Sequence, residues 1–395
     1  MIRRLQDADF AGKRVLVRVD FNVPMANGQV TDDTRLKAAL PTLAHLRREG
    51  AKVILMAHFG RPKGQRNMAM SLAPVATPLA ELIGHPVKFV SDCVGPDARD
   101  AVASLGAGDV LLLENTRFHA GEEQNDPEFA GELAALADLY VNDAFSAAHR
   151  AHASTEGVAR RIPGYAGLAL QREIDHVTAA LENPNRPLLA VVGGSKVSTK
   201  LDLLKNLASK VDRLFVGGAM ANTFLAAKGH DMGASLYERD LLNTAREILD
   251  AAGAAGSAIL LPVDGVVAEK FEAHAERRVA DMDGIKSTEM MLDCGPETVD
   301  RLADAIDAAR TLVWNGPLGA FETPPFDTGT LEAARYAAKR CTEHGLTVVA
   351  GGGDTVAALN QAGVADDFTF VSTAGGAFLE WLEGKALPGV EALKD

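Results

Sequence analysis

The chain has 395 residues, of which 47% are hydrophobic and 24% are charged, and its formal net charge is −13. This length favours two domains with ample cores, and the acidic balance argues against nucleic acids or anionic membranes as partners. Three cysteines without a CxxC pair exclude the common cysteine-based zinc patterns and a disulfide framework. Because the first residues contain no apolar signal segment and no apolar run is long enough to span a membrane, we expect a cytoplasmic protein.

In chain order, short apolar runs typical of buried strands alternate with Ala- and Leu-rich segments of helical period. The runs are Arg14–Val19, Lys52–Ala57, Val87–Val90, Val110–Leu113, Leu139–Val141, Leu188–Val192, Arg213–Val216, Ala258–Leu261, Leu312–Trp314, Leu346–Ala350 and Thr369–Val371. Repeated strand–helix units predict parallel sheets with helices on both faces. Because one open sheet does not comfortably hold so many strands, the predicted fold class is α/β, with two doubly wound, Rossmann-like lobes.

The segment Ala169–Pro187 is the natural boundary between the two lobes. Leu170–Leu181 has helical periodicity, and the following Asn-Pro-Asn-Arg-Pro stops a helix twice. We therefore expect an N-terminal lobe at 1–170, a linker helix at 171–186 and a C-terminal lobe at 187–377.

Charged and amide side chains, most of them basic, follow four strands of the N-terminal lobe. They are Asp20 and Asn22, then His58 and Arg61, then Arg117, and finally His149, Arg150 and His152; Arg35 lies in the first helix. Each has an ordinary explanation, such as a solvated arginine, a structural histidine or a turn-forming Asx residue. Because the carboxyl ends of parallel strands share one edge of the sheet, however, the cluster predicts a basic pocket for a small polyanion.

The C-terminal lobe begins with a strand, a glycine pair and a helix start. Leu188–Val192 is followed by Gly193-Gly194 and by Lys196 and Lys200, which are four residues apart. This arrangement is typical of a site where backbone N–H groups and a helix dipole face an anion, although solvated lysines are an equally simple interpretation. Neither the Walker A pattern nor GxGxxG is matched.

Other strands of this lobe also end in glycines. Gly217-Gly218, the stretch Asn315–Glu322 and Gly351–Thr355 each follow an apolar run. Such ends allow a phosphorylated or flat ligand to approach the backbone closely. Asp354 at a helix start is a candidate Mg²⁺ ligand or an ordinary N-cap, and Glu322 is a candidate ligand contact or a surface carboxylate.

The motifs DFNVP, HFGRP, ENTRF, NDAF, AHRAH, GGSKVSTK, GGAM, WNGP and GGGDT occur in this order between Asp20 and Thr355. They resemble the phosphoglycerate kinase family over essentially the full chain. The resemblance implies Mg²⁺-dependent, reversible phosphoryl transfer from 1,3-bisphosphoglycerate to ADP, giving 3-phosphoglycerate and ATP. Departures from the usual pattern occur at Phe59, Thr116, Ser146-Ala147, Leu318, Ala374 and Phe378, and they affect fine positioning rather than the expected activity.

The resemblance also implies which residues bind each ligand. For the triose these are Asp20, Phe21, Asn22, Arg35, His58, Phe59, Gly60, Arg61, Arg117 and Arg150. For the nucleotide they are Gly194, Lys196, Lys200, Gly218, Glu322, Gly351, Gly352, Gly353, Asp354 and Thr355. The implied stabilisers of the transferring group are Arg35 and Lys196, assisted by the N–H groups of Gly352 and Gly353, while Asp354 is the implied magnesium ligand and Glu322 the implied ribose contact.

The same resemblance implies a monomer and a C-terminal tail, about 378–395, that returns to the N-terminal lobe. Because the triose and nucleotide residues belong to different lobes and in-line transfer needs the reacting atoms close together, we also expect a cleft between the lobes and hinge closure at the linker helix. Two alternatives belong to other functional classes. A nucleotide-binding sensor without turnover is disfavoured by the presence of Arg35, Lys196 and Asp354. A dinucleotide-dependent dehydrogenase is disfavoured because no strand is followed by GxGxxG.

Overall fold

The structure is a computed structural model that describes residues 1–395, and the chain divides into two compact units. The first unit comprises Met1–Asp175 and Ala386–Asp395, and the second comprises His176–Lys385. None of the helices is both long and apolar enough to cross a membrane.

In the first unit, eight strands alternate along the chain with helices. The strands are β1 (Arg14–Arg18), β2 (Met25–Ala26), β3 (Gln29–Val30), β4 (Lys52–Met56), β5 (Val87–Phe89), β6 (Val110–Leu112), β7 (Leu139–Asn142) and β8 (Gly164–Ala166). The helices are α1 (Thr34–Arg48), α2 (Ala76–Ile83), α3 (Gly95–Ala103), α4 (Ala120–Glu123), α5 (Pro127–Ala134) and α6 (Leu168–Leu181), the last of which begins in this unit and ends in the second.

Six of these strands form one parallel sheet in the order β5-β6-β4-β1-β7-β8. In β1 and β4 every residue after the first is buried, as expected for strands covered on both faces. β1 lies inside the sheet, with β4 on one side and β7 on the other, so the strands that follow β1 in the chain are placed on both sides of it. The carboxyl ends of β1, β4, β6 and β7 are therefore neighbours at one edge, where open parallel sheets bind ligands.

The second unit is built on the same plan. Its strands are β9 (Leu188–Val192), β10 (Arg213–Val216), β11 (Ala258–Leu260), β12 (Asp264–Ala268), β13 (Arg277–Asp281), β14 (Met290–Cys294), β15 (Thr311–Asn315), β16 (Thr347–Gly351) and β17 (Phe370–Ser372). Its helices are α7 (Leu201–Ala208), α8 (Gly218–Ala227), α9 (Leu242–Ala254), α10 (Pro296–Ala308), α11 (Thr328–His344), α12 (Gly353–Ala362) and α13 (Gly376–Leu382).

Its main sheet has six parallel strands in the order β11-β10-β9-β15-β16-β17. The central strands β9 and β15 are buried at all of their residues. The glycine-rich segments that follow β9, β10, β15 and β16 therefore meet at one edge of this sheet. The predicted fold class, α/β with two parallel-sheet lobes, is confirmed.

Three features of the sheets were not predicted, the first being the antiparallel sheet β2-β3, whose strands have only two residues each. β8 is only three residues long and lacks an apolar run, so its sequence carries no strand signal. The antiparallel sheet β13-β12-β14 was also missed, since its edge strand β13 is mostly exposed and begins with two arginines.

The C-terminal segment Ala386–Asp395, with helix α14 (Pro388–Glu391), belongs to the first unit. Asn142 Nδ2 donates to the carbonyl of Gly389 at 3.2 Å, and the Gly389 N–H donates to Ala148 O at 2.8 Å. Residues 378–385, expected in the returning tail, instead lie in the second unit. The physical reason is the packing of α13 on α7, where Asn206 Nδ2 donates to Leu382 O at 2.6 Å.

Candidate functional site

His58 follows β4 and lies almost fully buried at the edge of the first sheet. Arg18, the last residue of β1, places Nη2 2.8 Å from His58 Nδ1. Because a guanidinium can only donate, Nδ1 must be the acceptor, and the ring proton is left on Nε2. Burial and the charges of Arg18, Arg117 and Arg150 lower the pKa of His58 well below its usual value. The imidazole is therefore a neutral donor at neutral pH.

A buried chain of polar groups holds Arg18 in place. Its Nε donates to Ser154 Oγ at 2.9 Å, and Ser154 Oγ donates to Glu122 Oε1 at 2.5 Å. Arg18 and Glu122 are each at most 1% exposed, so a buried cation and a buried anion are linked through one hydroxyl. Sequence reasoning missed all three residues; the available signal was an arginine at the end of an otherwise apolar strand.

Arg117 lies in a short 3₁₀ turn after β6 and is only 4% exposed. Its Nη1 donates to Gly60 O at 2.8 Å, and burial lowers its pKa. Burial, followed by the charges of Arg117, Arg150 and Arg18, also lowers the pKa of His152 to about 4. These mutual effects show that the structure brings the cationic residues of several strand ends into one group.

Arg35 at the start of α1 is paired with Asp20, which follows β1. Arg35 Nη1 lies 2.9 and 2.7 Å from the two carboxylate oxygens of Asp20. Ser146 Oγ donates to Asp20 Oδ2 at 2.6 Å. In this structure Asp20 orients Arg35, and Ser146, one of the departures from the family pattern, in turn orients Asp20.

The remaining predicted triose residues lie on adjoining loops. Asn22 Oδ1 accepts from the Gly60 N–H at 2.9 Å, while Phe21 is buried in the core and Phe59 is half-buried. Arg61 is exposed, and no contact joins its side chain to the cationic group.

Asn115 was part of a recognised motif but was not singled out as a site residue. It ties these loops together, since its amide oxygen accepts from the N–H groups of Phe59 and Arg117, both at 3.1 Å. Its amide nitrogen donates to Phe59 O at 2.7 Å and to Met70 O at 2.9 Å. All four hydrogen-bonding positions of this buried side chain are used.

In the second unit, glycines let three strand ends interlock. A Cβ on Gly193 would overlap the carbonyl oxygen of Pro317. Gly218 has φ +65°, and a Cβ there would lie 2.6 Å from Gly194 O. Side chains are excluded at both positions, so backbone groups form this edge of the sheet.

Lys196 and Lys200 carry the same charge, but their environments in the structure differ. Lys200 Nζ donates to Gly193 O at 2.8 Å and to Asn315 O at 3.1 Å, and its burial lowers its pKa to about 8. Lys196 is exposed at the start of the 3₁₀ turn Val197–Thr199. Lys200 joins two strand ends, whereas Lys196 is available to a ligand.

The segment after β16 forms the N-terminus of α12. Gly352 is the N-cap, with φ 103°, and Asp354 is an exposed residue of the first turn. The interpretation of Asp354 as an ordinary N-cap is therefore wrong. Thr355 is buried, and its Oγ1 accepts from the Gly316 N–H at 2.7 Å, so its side chain supports the loop.

Asn315, at the end of β15, is a second residue that sequence reasoning did not single out. Its Nδ2 donates to Gly351 O at 2.8 Å, whereas its buried Oδ1 has no protein partner. Gly353 is exposed at the first position of α12. Glu322 is exposed beyond β15, and no contact joins it to the glycine loops.

Comparisons with known proteins agree with this geometry. The family model described as "Phosphoglycerate kinase" matches residues 5–385. A phosphoglycerate kinase of Maricaulis maris is 64% identical over 392 residues, which cover 99% of this chain and 97% of the relative. The solved structure of phosphoglycerate kinase from Coxiella burnetii has a TM-score of 0.93 at 42% identity and covers 100% of this chain and 99% of its own. The corresponding structure from Pyrococcus horikoshii has a TM-score of 0.80 at 33% identity, with coverages of 99% and 98%. This chain belongs to the phosphoglycerate kinase family.

Proposed function

We propose that the chain catalyses reversible phosphoryl transfer from 1,3-bisphosphoglycerate to ADP, yielding 3-phosphoglycerate and ATP. The observation that supports this most directly is the group formed by His58, Arg117 and Arg150 with the buried Arg18, at the ligand-binding edge of a sheet in an acidic chain. Family membership supports the same reaction. The alternative of a dehydrogenase has no supporting observation.

The residues of the first unit would bind and orient the triose. Arg117 and Arg150 supply forked donors that match phosphate and carboxylate oxygens. His58 adds a neutral Nε2–H donor, because Arg18 occupies Nδ1. Arg35 is held by Asp20 at a partly exposed position, where its remaining N–H groups can face the transferring phosphoryl group.

The residues of the second unit would bind the nucleotide phosphates. Gly353 and its neighbours present N–H groups at the start of α12, where the helix dipole favours negative charge. Lys196 supplies an exposed ammonium group for the charge that spreads over the equatorial oxygens during transfer. The protein forms no covalent bond in this mechanism; it positions the two ligands and offsets their charge.

The exposed carboxylate of Asp354 fits a Mg²⁺ ion carried by a nucleotide. Mg²⁺ typically takes one or two protein carboxylates and completes its shell with phosphate oxygens and water. Asp354 lies in the first turn of α12, close enough to Lys200 that its charge offsets part of the pKa lowering that burial causes there. When bound there, the ion would neutralise phosphate charge and fix the orientation of the phosphates.

We further propose that the enzyme acts as a monomer in the cytoplasm. All three cysteines are free thiols, which suits a reducing compartment. Both sets of ligand-binding residues come from one chain, so the proposed reaction needs no second copy. Light scattering of the purified protein at assay concentration would test the monomer, and a mass near 41.6 kDa is expected.

A coupled assay of ATP formation from 1,3-bisphosphoglycerate, ADP and Mg²⁺ tests the proposed reaction. The purified chain should turn over, and Lys205→Ala, at an exposed position of α7, should match it. If ADP binds in calorimetry but no ATP forms, the proposal fails and a nucleotide-binding sensor is favoured instead.

A further inference from the structure

Outside the residues assigned above, three metal-binding side chains come together at one end of the first sheet. Asp92 and Cys93 follow β5, and His119 follows the 3₁₀ turn after β6. Because β5 and β6 pair in parallel, their carboxyl ends are adjacent. A carboxylate oxygen of Asp92, Sγ of Cys93 and a ring nitrogen of His119 all lie within 4.8 Å of one another.

The three groups are held in place by different contacts. His119 Nε2 lies 2.7 Å from Asp92 Oδ1, and the imidazole stacks on the ring of Phe129 with a centroid distance of 5.0 Å. Cys93 is completely buried, whereas the side chains of Asp92 and His119 are 35% and 33% exposed. The buried thiol of Cys93 therefore lies next to two side chains that solvent can reach.

We propose that Asp92, Cys93 and His119 form a binding site for a thiophilic divalent cation, with Zn²⁺ as the best match and water as the fourth ligand. Imidazole, thiolate and carboxylate are the donors that Zn²⁺ uses in proteins, whereas Mg²⁺ and Ca²⁺ prefer oxygen alone. One thiolate and one carboxylate balance the charge of the ion. The cysteine spacing patterns of the sequence do not exclude this site, because tertiary structure assembles it from two strand ends.

Only small side-chain movements are needed to bind the ion. Ligand atoms in a tetrahedral zinc site with ordinary bond lengths are about 3.3–3.6 Å apart. The hydrogen bond between His119 and Asp92 must open slightly, and the thiol must approach the pair. Asp92 Oδ1 also accepts from the Cys93 N–H at 2.7 Å, and the lone pair that His119 releases is the one left for the ion. Arg66 Nη1 lies 3.7 Å from the other oxygen, Oδ2.

Binding exchanges a proton for the metal without any redox change. The S–H bond of Cys93 breaks, a Zn–S bond forms, and the thiol proton passes to solvent. The proton of His119 Nε2, which is donated to the Asp92 carboxylate, moves to Nδ1 of the same ring, so that the Nε2 lone pair can bind the ion. The carboxylates of Asp92, Glu122 and Glu114 are close enough to the Cys93 thiol to interact with it electrostatically. The same carboxylates attract a cation. We therefore expect binding that strengthens with pH and releases about one proton per ion.

Titration of the reduced, chelator-treated full-length protein with Co²⁺ tests this site. We expect one Co²⁺ per chain, with a sulfur-to-metal charge-transfer band and tetrahedral visible bands that Zn²⁺ abolishes by displacement. Cys93→Ser should lose the charge-transfer band and the proton release. Asp92→Asn, at a partly exposed position, should weaken binding at least about tenfold, since one anionic ligand is lost.

Cys341→Ser is the matched control, because Cys341 is a free thiol of the second unit and its loss should leave the titration unchanged. Circular dichroism of each variant shows whether it is folded. The proposal is overturned if the folded wild-type protein gives no sulfur band. It is also overturned if the band persists in Cys93→Ser, or if folded Asp92→Asn binds as tightly as the wild type.

Discussion

Lys200 offers a direct test of how the second unit binds nucleotide phosphates. Its Nζ is committed to Gly193 O and Asn315 O, and the group is mostly buried. Burial lowers its pKa from 10.5 to about 8, an effect that the charge of Asp354 partly offsets. A phosphate group bound at the neighbouring glycine loops would place a negative charge beside the ammonium group of Lys200. It would therefore favour the protonated lysine and raise its pKa again.

The lowered pKa of Lys200 determines how protein stability and nucleotide binding should depend on pH. Between pH 8 and 10.5 the unfolded chain binds more protons at this lysine than the folded chain, so Lys200 makes the folded state more stable as pH rises. Nucleotide binding has the opposite dependence, because it favours the protonated lysine. If the bound state restores the ordinary pKa, binding takes up roughly 0.1 proton at pH 7, about 0.5 at pH 8 and about 0.9 at pH 9.

Calorimetric titration with ADP in buffers of different ionisation enthalpy measures this uptake. Mg²⁺ is left out, so that an ion on Asp354 does not oppose the shift. Lys200→Arg should abolish the uptake, because a guanidinium stays protonated throughout this range. Lys205→Met removes an exposed lysine of α7 and should leave the uptake as it is in the wild type.

Two results would refute the reasoning. A proton uptake that does not change between pH 7 and pH 9 would mean that Lys200 does not titrate in this range. An equal uptake in Lys200→Arg and in the wild type would assign the proton to another group.

Three further substitutions test the remaining residues. Asn115→Asp should lower the free energy of unfolding, measured by urea denaturation, by about 2–4 kcal/mol, because it removes two donated hydrogen bonds and leaves two carbonyls unpaired. Asn360→Asp, at an exposed position, is the control. An equal loss of stability in both variants would contradict the role of Asn115. Lys196→Ala should reduce kcat by about 10²–10⁴-fold with a smaller change in KM, whereas a rise in KM alone would limit Lys196 to ground-state binding. Asp354→Asn should weaken the Mg²⁺ dependence of turnover, and an unchanged Mg²⁺ titration would argue against the metal role.

The sequence by itself determined eleven of the twelve strands in the two main sheets and the loops that bear ligand-binding residues. Continuous apolar runs such as Leu188–Val192 are typical of strands buried on both faces, and the structure has strands at every predicted run. Because parallel strands all end at one edge of a sheet, the polar residues after them could be grouped without coordinates. His58, Arg117 and Arg150 were grouped in this way, and the structure brings them together.

Only the tertiary structure decided which of these polar residues face a ligand and which support the site. Lys196 and Lys200 are alike in the sequence, but one is exposed and the other is bound to two carbonyls of the backbone. Arg18 and Ser154 are 136 residues apart in the chain, and their contact fixes the imidazole of His58. Hydrogen bonds of this kind depend on distances of about 3 Å between segments that are remote in sequence. Such distances result from the packing of whole elements, and neither residue type nor spacing along the chain specifies them.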